Sequence, residues 1–189
     1  NVVQAAKDIS YRAMILVYLE LEDDQFTEFD AHYFPESDLL LTRLSETKNY
    51  AVRSEPKGRT VICAEVPCMV DDETWNSSDE VLGKRIEEDL KRCELTVTCN
   101  IADVWTRRLP QAYPLYPIGY EEPFETLDSW VATLPNFLSY GRQGLFAHDN
   151  THHALFMAYS AANCLKDGVF DLEEWAKYRE IFSHHVVED

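Results

Sequence analysis

The chain predicts an α+β fold, a mainly antiparallel sheet with flanking helices, and three observations predict it. Strand-like runs rich in aliphatic and aromatic residues, separated by short polar turns, succeed one another between residues 8 and 108. A capped amphipathic helix is embedded among them at 79–92. Beyond residue 120 the apolar spacing becomes helical. Strands first and helices later is the order of an α+β layout rather than of alternating βαβ units.

Each element has its own signal. "YRAMILVYLEL" (Tyr11 to Leu21) reads as a largely buried strand that ends in the acidic turn "EDDQ". "AHYFP" and "LLLTRLSE" read as the next two strands, parted by a Pro-Glu-Ser-Asp turn. "KGRTVICAEVP" gives a Lys-Gly turn and a fourth strand, closed by Pro67. In "WNSSDEVLGKRIEEDLKRC", Ser77 and Glu80 have capping-box spacing, and Leu82, Ile86 and Leu90 repeat every four residues. "LTVTCNIADVWTRRLP" reads as a long strand and "QAYPLYPIGYEEP" as a loop. In "FETLDSWVATL", Phe124, Leu127, Trp130 and Val131 share a helix face. "PNFLSYG" reads as a short buried strand, a helix follows from about Asn150 to Leu165, and "DLEEWAKYREIF" is a last helix with Asp171 and Glu174 at its start.

Composition narrows the function. The chain has 189 residues and a formal net charge of −17, with 34 acids against 17 bases. Nucleic acid and anionic membranes both need a cationic footprint, so neither is the expected partner. No apolar run approaches the length of a membrane span and no signal peptide is visible. Five cysteines, none in a C-x-x-C pair, read as reduced thiols in a cytoplasmic protein. The chain begins at Asn1 without a methionine, as an excised piece of something longer would.

The candidate chemistry is sparse. Six histidines are present: His32, His148, His152, His153, His184 and His185. Helical metal sites use partners three or four apart, and adjacent histidines point about 100° apart around the axis. His148 and His152 have that spacing, but His148 precedes the helix, so no metal ligand is assigned. "NCLKDGVFDLEE" (Asn163 to Glu174) has the glycine and final glutamate of a calcium loop, yet Leu165 stands at its third position, where an oxygen is needed. Arg107-Arg108 with Tyr113 and Tyr116 suits an anionic or ring-bearing substrate, although a structural role is the plainer account of the arginines alone.

The stretch "GRQGLFAHDNTHHALFMAY" (Gly141 to Tyr159) offers more. A helix opening at Asn150-Thr151, after a glycine, exposes backbone N–H groups and the positive end of its dipole. Asn150 and Thr151 are natural cap residues, and acid is scarce in that turn. A well-capped helix packed on a sheet explains the same features.

Five blocks in order carry a family resemblance: "SYRAMILVYLEL", "RLSETKNYAVRSEPKGRTVICAEVP", "WNSSDEVLGKRIEEDL", "RLPQAYPLYPIGYEE" and "GRQGLFAHDNTHHALFMAYSAANCL". Over about residues 8 to 166 the chain resembles the C-terminal half of flavin-dependent amine oxidase superfamily proteins, in the branch of protoporphyrinogen oxidase and UDP-galactopyranose mutase. The resemblance implies FAD held mainly by a preceding Rossmann-type half, whose G-x-G-x-x-G motif does not occur here. It implies a substrate-binding domain over 1–135, the closing strand and helix of the FAD domain over 136–166, and a C-terminal helix over 167–189. The backbone at Gly141 and Arg142 is expected near the FAD phosphates. The helix start at Asn150, Thr151 and His152 is expected at the flavin's N1/O2 edge, where its dipole favours the anionic reduced form. Arg108, Tyr113 and Tyr116 are expected on the substrate side; the substrate is a small amine, ring compound or sugar nucleotide. Two alternatives remain open: mutase chemistry without net redox change, and an interaction domain that binds no flavin.

Overall fold

Every second residue of β1 (Tyr11–Leu21), from Ala13 to Leu21, is fully shielded from solvent, the two-residue period of a strand with one face in a core. The computed structural model describes residues 2–51 and 55–187. β4 (Thr60–Cys68) pairs antiparallel with β1, setting Ile62 opposite Leu19 and Ala64 opposite Val17. β3 (Arg43–Glu46) pairs antiparallel with β4, and β2 (Ala31–Tyr33) with β3. β5 (Ile101–Pro114) lies on the other side of β1, so the sheet order is β2-β3-β4-β1-β5. The α+β class with an antiparallel sheet is as the sequence predicts.

α2 (Asp79–Arg92) places Leu82, Ile86 and Leu90 in the core cluster that the sheet builds, at the four-residue spacing visible in the sequence. Gly83 lets it lie close: a Cβ there would meet Val104 Cγ1 on β5 at 2.8 Å. The cap is Ser78 rather than Ser77. The Ser78 hydroxyl accepts from Val81 N–H at 3.4 Å, whereas the Ser77 hydroxyl donates back to the Glu73 carbonyl in the preceding turn. Residues 95–100 are not strand. α2 ends with Glu94 in the left-handed region (φ 61°) and Leu95 N–H on the Leu90 carbonyl, and that reversal delays β5 until Ile101. Glu46, fully buried, accepts from Phe26 and Thr27 N–H (3.0 and 2.8 Å) and from the Thr60 hydroxyl, fixing the loop after β1.

These elements, Tyr11–Tyr113, form one compact unit; the residues up to Ser10 and from Pro114 onward form a second. The sequence-based boundary at 135 falls inside the second unit. There α1 (Val2–Asp8), which the sequence analysis did not anticipate, packs on α3 (Glu121–Val131). Residues 135–140 do not form the expected strand. Pro135 has no N–H to donate, Asn136 is left-handed (φ 58°) and Phe137 is exposed, so the segment cannot sustain a ladder. A short helix, α4 (Gly141–Gly144), follows instead, then α5 (Thr151–Cys164), then a two-stranded hairpin of β6 (Leu165–Lys166) and β7 (Val169–Phe170) turning at Asp167-Gly168, and α6 (Leu172–Phe182). Asp171 caps α6 by accepting from Glu174 N–H at 3.0 Å. Met157, Ala161, Cys164, Trp175 and Phe182 make this unit's core.

Candidate functional site

The start of α5 is built by its own residues. Asn150 is the N-cap in extended backbone (φ −87°, ψ 171°), and its N–H donates to His153 Nδ1 at 3.1 Å. His153 thus takes the place that glutamate or glutamine holds in a common capping box. The exposed N–H groups of Thr151 and His152 donate to nothing among the described residues, and the first turn carries no acid. These two open donors are what a helix dipole presents to an anion. The nearest acid in sequence, Asp149, is buried.

The preceding loop is braced. Phe146, left-handed (φ 49°) and 5% exposed, packs its ring against Tyr116, Tyr120 and Phe124 at centroid distances of 5.1, 5.7 and 6.0 Å. The Ser139 hydroxyl donates to the Gly144 carbonyl at 3.0 Å, and Ala147 N–H to the Arg142 carbonyl at 3.0 Å. Gly141 has φ +83° and open space where a side chain would stand, so a ligand's phosphate meets no steric bar there. Its N–H donates to Met157 Sδ at 3.2 Å, tying α4 to α5. Gly141, Arg142, Asn150, Thr151 and His152 therefore all lie on α4 and the first turn of α5, which pack together.

The substrate-side residues are divided between the two units. Arg108 and Tyr113 belong to the sheet unit and Tyr116 to the helical one. The Arg108 guanidinium donates to the Trp75 and Ser77 carbonyls (3.0 and 2.6 Å) and to the Thr106 hydroxyl, and faces Asp79 at 3.5 Å. It ties β5 to the segment leading into α2. Tyr116 stacks edge-on with Tyr120 at 5.0 Å.

Two features escaped the sequence analysis. An open cleft of about 620 Å³ lies in the helical unit, walled by Val131, Phe137, Leu138, Ala161, Leu165 and Trp175. Asp149, His153 and His185 converge near the start of α5. Asp149 and His153 are four apart and visible as a pair in the sequence, but only the return of the chain after α6 brings in His185. Burial, and next the neighbouring His152, holds the His153 pKa below the ordinary histidine value.

No family model and no curated protein matches the chain. Among solved structures, reduced UDP-galactopyranose mutase matches with a TM-score of 0.61 and 18% identity, over 75% of this chain and 30% of that one. "Putative protoporphyrinogen oxidase" from Exiguobacterium sp. 255-15 matches with a TM-score of 0.53 and 21% identity, over 68% of this chain and 29% of that one. Both are members of the flavin amine oxidase superfamily. This chain has their fold. It spans under a third of either flavoprotein's length. Among the described residues, no helix is long and apolar enough to cross a membrane.

Proposed function

We propose that the chain is the substrate-binding portion of an FAD-dependent oxidoreductase and supplies one wall of the flavin pocket. The observation that carries this reading is α5. It begins with two open backbone donors and continues with Leu155, Phe156 and Tyr159 exposed (55%, 42% and 70%), an apolar surface that suits a missing neighbour rather than water. The match to larger flavoproteins over most of this chain supports the same reading.

The residues present fit FAD at two points: the open approach to the Gly141 backbone, and the unengaged Thr151 and His152 N–H groups. The flavin supplies hydride transfer when bound. In this reading Gly141 and Arg142 lie along the phosphates and the start of α5 faces the N1/O2 edge, where a helix terminus favours a nearby anion by about 0.3–2 kcal/mol. Arg108, Tyr113 and Tyr116 face a small-molecule substrate, and the preceding half of the protein holds most of the cofactor. The five unpaired cysteines fit a cytoplasmic setting. The higher TM-score to the mutase favours, as second reading, a sugar-nucleotide mutase in which reduced flavin is the nucleophile.

The test has two arms. The 189-residue chain alone is expected to be colourless and to bind FAD no tighter than roughly millimolar, since the pyrophosphate-binding half is absent. In the intact flavoprotein, Thr151→Asp is expected to lower the flavin reduction potential in a redox titration, by setting a carboxylate against the reduced form. Stoichiometric flavin on the chain alone, or an unchanged potential in the variant, overturns the reading.

A further inference from the structure

Asp149 sits immediately before the cap of α5, His153 in the first turn, and His185 just beyond the end of α6. Asp149 Oδ1 lies 3.5 Å from His153 Nδ1, Asp149 Oδ2 lies 3.4 Å from His185 Nδ1, and one ligand atom from each of the three falls within 4.8 Å of the others. We propose that Asp149, His153 and His185 bind a divalent transition-metal ion of the zinc class.

The spacing is the first argument. Oxygen and nitrogen ligands at about 2.0–2.2 Å from a tetrahedral ion lie about 3.3–3.5 Å from one another. That separation is too long for the charge-assisted hydrogen bonds of about 2.7–2.9 Å that a carboxylate makes with a protonated histidine. It suits ligands arranged around a common centre.

The second argument is the state of Asp149. Its carboxylate is buried, with 4% of the residue exposed, and its sole hydrogen-bond contact among the described residues is the 3.4 Å approach of His185. A buried carboxylate this poorly supplied with donors points to a missing cation. His153 adds to the imbalance. Its Nδ1 accepts the Asn150 N–H, so that nitrogen holds a lone pair and no proton, yet it faces Asp149 Oδ1. With that lone pair engaged by the Asn150 N–H, His153 Nδ1 has no proton to give Asp149, and the carboxylate gains no donor from it. A metal ion would supply the positive charge that Asp149 lacks.

The His153 and His185 rings lie within 18° of parallel with centroids 4.4 Å apart, and the rings of Phe156 and Phe182 flank His185 at 6.1 and 5.5 Å. Stacked rings aim their in-plane lone pairs side by side, so binding one ion requires the imidazoles to turn toward each other, while the aromatic wall limits solvent. Two imidazoles and one carboxylate select zinc, cobalt or iron(II) over calcium and magnesium, which prefer oxygen, and leave coordination positions for water. Coordination through His153 Nδ1 takes that lone pair from Asn150 N–H, so occupancy is linked to the cap of α5. The proposal uses only this chain's residues and does not rest on the flavin reading.

The experiment is a zinc titration of the untagged, chelator-treated chain against a fluorescent zinc indicator, with cobalt(II) absorption as a second readout. Expected is one equivalent bound at micromolar affinity or tighter. Loss of an outer-sphere partner typically weakens a metal site about 10–100-fold, so Asp149→Asn and His185→Ala are each expected to weaken binding at least that much. His185→Ala interrupts no helix but removes a packed ring, so His185→Phe, which keeps a ring and no ligand atom, is the second variant and is expected to lose binding equally. His184→Ala, at an exposed neighbouring histidine, is expected to bind as the unaltered chain does. No stoichiometric binding, or equal affinity in His185→Ala, His184→Ala and the unaltered chain, overturns the proposal and leaves a plain His–Asp ion pair.

Discussion

The 11–113 unit and the helical unit both expose some large apolar residues, Phe29 and Tyr33 among them in the first, but they differ in the core behind those residues. In the first, one continuous core joins β1, β3 and β4 to α2, and β1 hides its inward-facing side chains entirely. In the second, a smaller core is centred on Met157, Trp175 and Phe182, while Leu155, Tyr159, Leu165, Val169 and Leu172 stand more than half exposed. A large continuous core can stabilise a unit by itself. On α5, Leu155 and Tyr159 form an exposed apolar surface of the kind that meets a partner, within about two turns of the helix start proposed for the flavin side.

The largest effect expected from this contrast lies in the sheet. Ile62→Ala removes a fully buried side chain opposite Leu19, in surroundings that cannot collapse around the gap, and should cost about 2–5 kcal/mol in denaturant unfolding. Met157→Ala, equally buried, should cost less, because its looser surroundings relax more readily. Equal losses would erase the distinction. Next comes Gly83→Ala, whose new methyl would press on Val104 at 2.8 Å; about 1–3 kcal/mol is expected, read in the same assay.

Cysteine labelling sharpens the comparison without altering side-chain volume. Burial pushes the Cys63 and Cys68 thiols up to about 11 and raises that of Cys164 as well. At neutral pH all three are protonated in the folded state, and the reactive thiolate fraction grows only as pH climbs toward those values. Labelling near pH 7 must therefore proceed through opening of the structure. Cys164 sits in the helical unit and should react at least about tenfold faster than Cys63 and Cys68, as followed by mass spectrometry with iodoacetamide.

The same division governs what the sequence revealed. β1, β4 and α2 were legible because their periods of two and about 3.6 are imposed by one large core. α6 was legible because Asp171 caps it locally. The strand expected at 135–140 failed because Pro135 and the left-handed Asn136 interrupt it and its apolar residues split between outward (Phe137) and core-facing (Leu138), so hydrophobicity there does not report pairing. α1 escaped because its one buried side chain, Ala5, leaves no periodic signal. Of the candidate site, the cap at Asn150 was visible from residue type alone. The approach of His185 to Asp149 was not, since it depends on how α6 returns the chain, and no local pattern encodes that path.

The smallest effect is the most specific. Tyr159 is 70% exposed on α5 and lies beyond the first turn, away from both the cap and His153. Tyr159→Glu should leave the unfolding free energy of the isolated chain within about 0.5 kcal/mol, as for other surface substitutions away from caps and core. In an intact flavoprotein the same change would place a carboxylate in a contact that is otherwise apolar, where an unpaired charge is strongly disfavoured. Flavin content after purification, measured by absorbance against protein, should then fall while the isolated chain's stability does not. A variant that retains full flavin in the intact protein would show that the exposed face of α5 meets water rather than a neighbouring segment, and the contrast between the two units would reduce to a difference in core size.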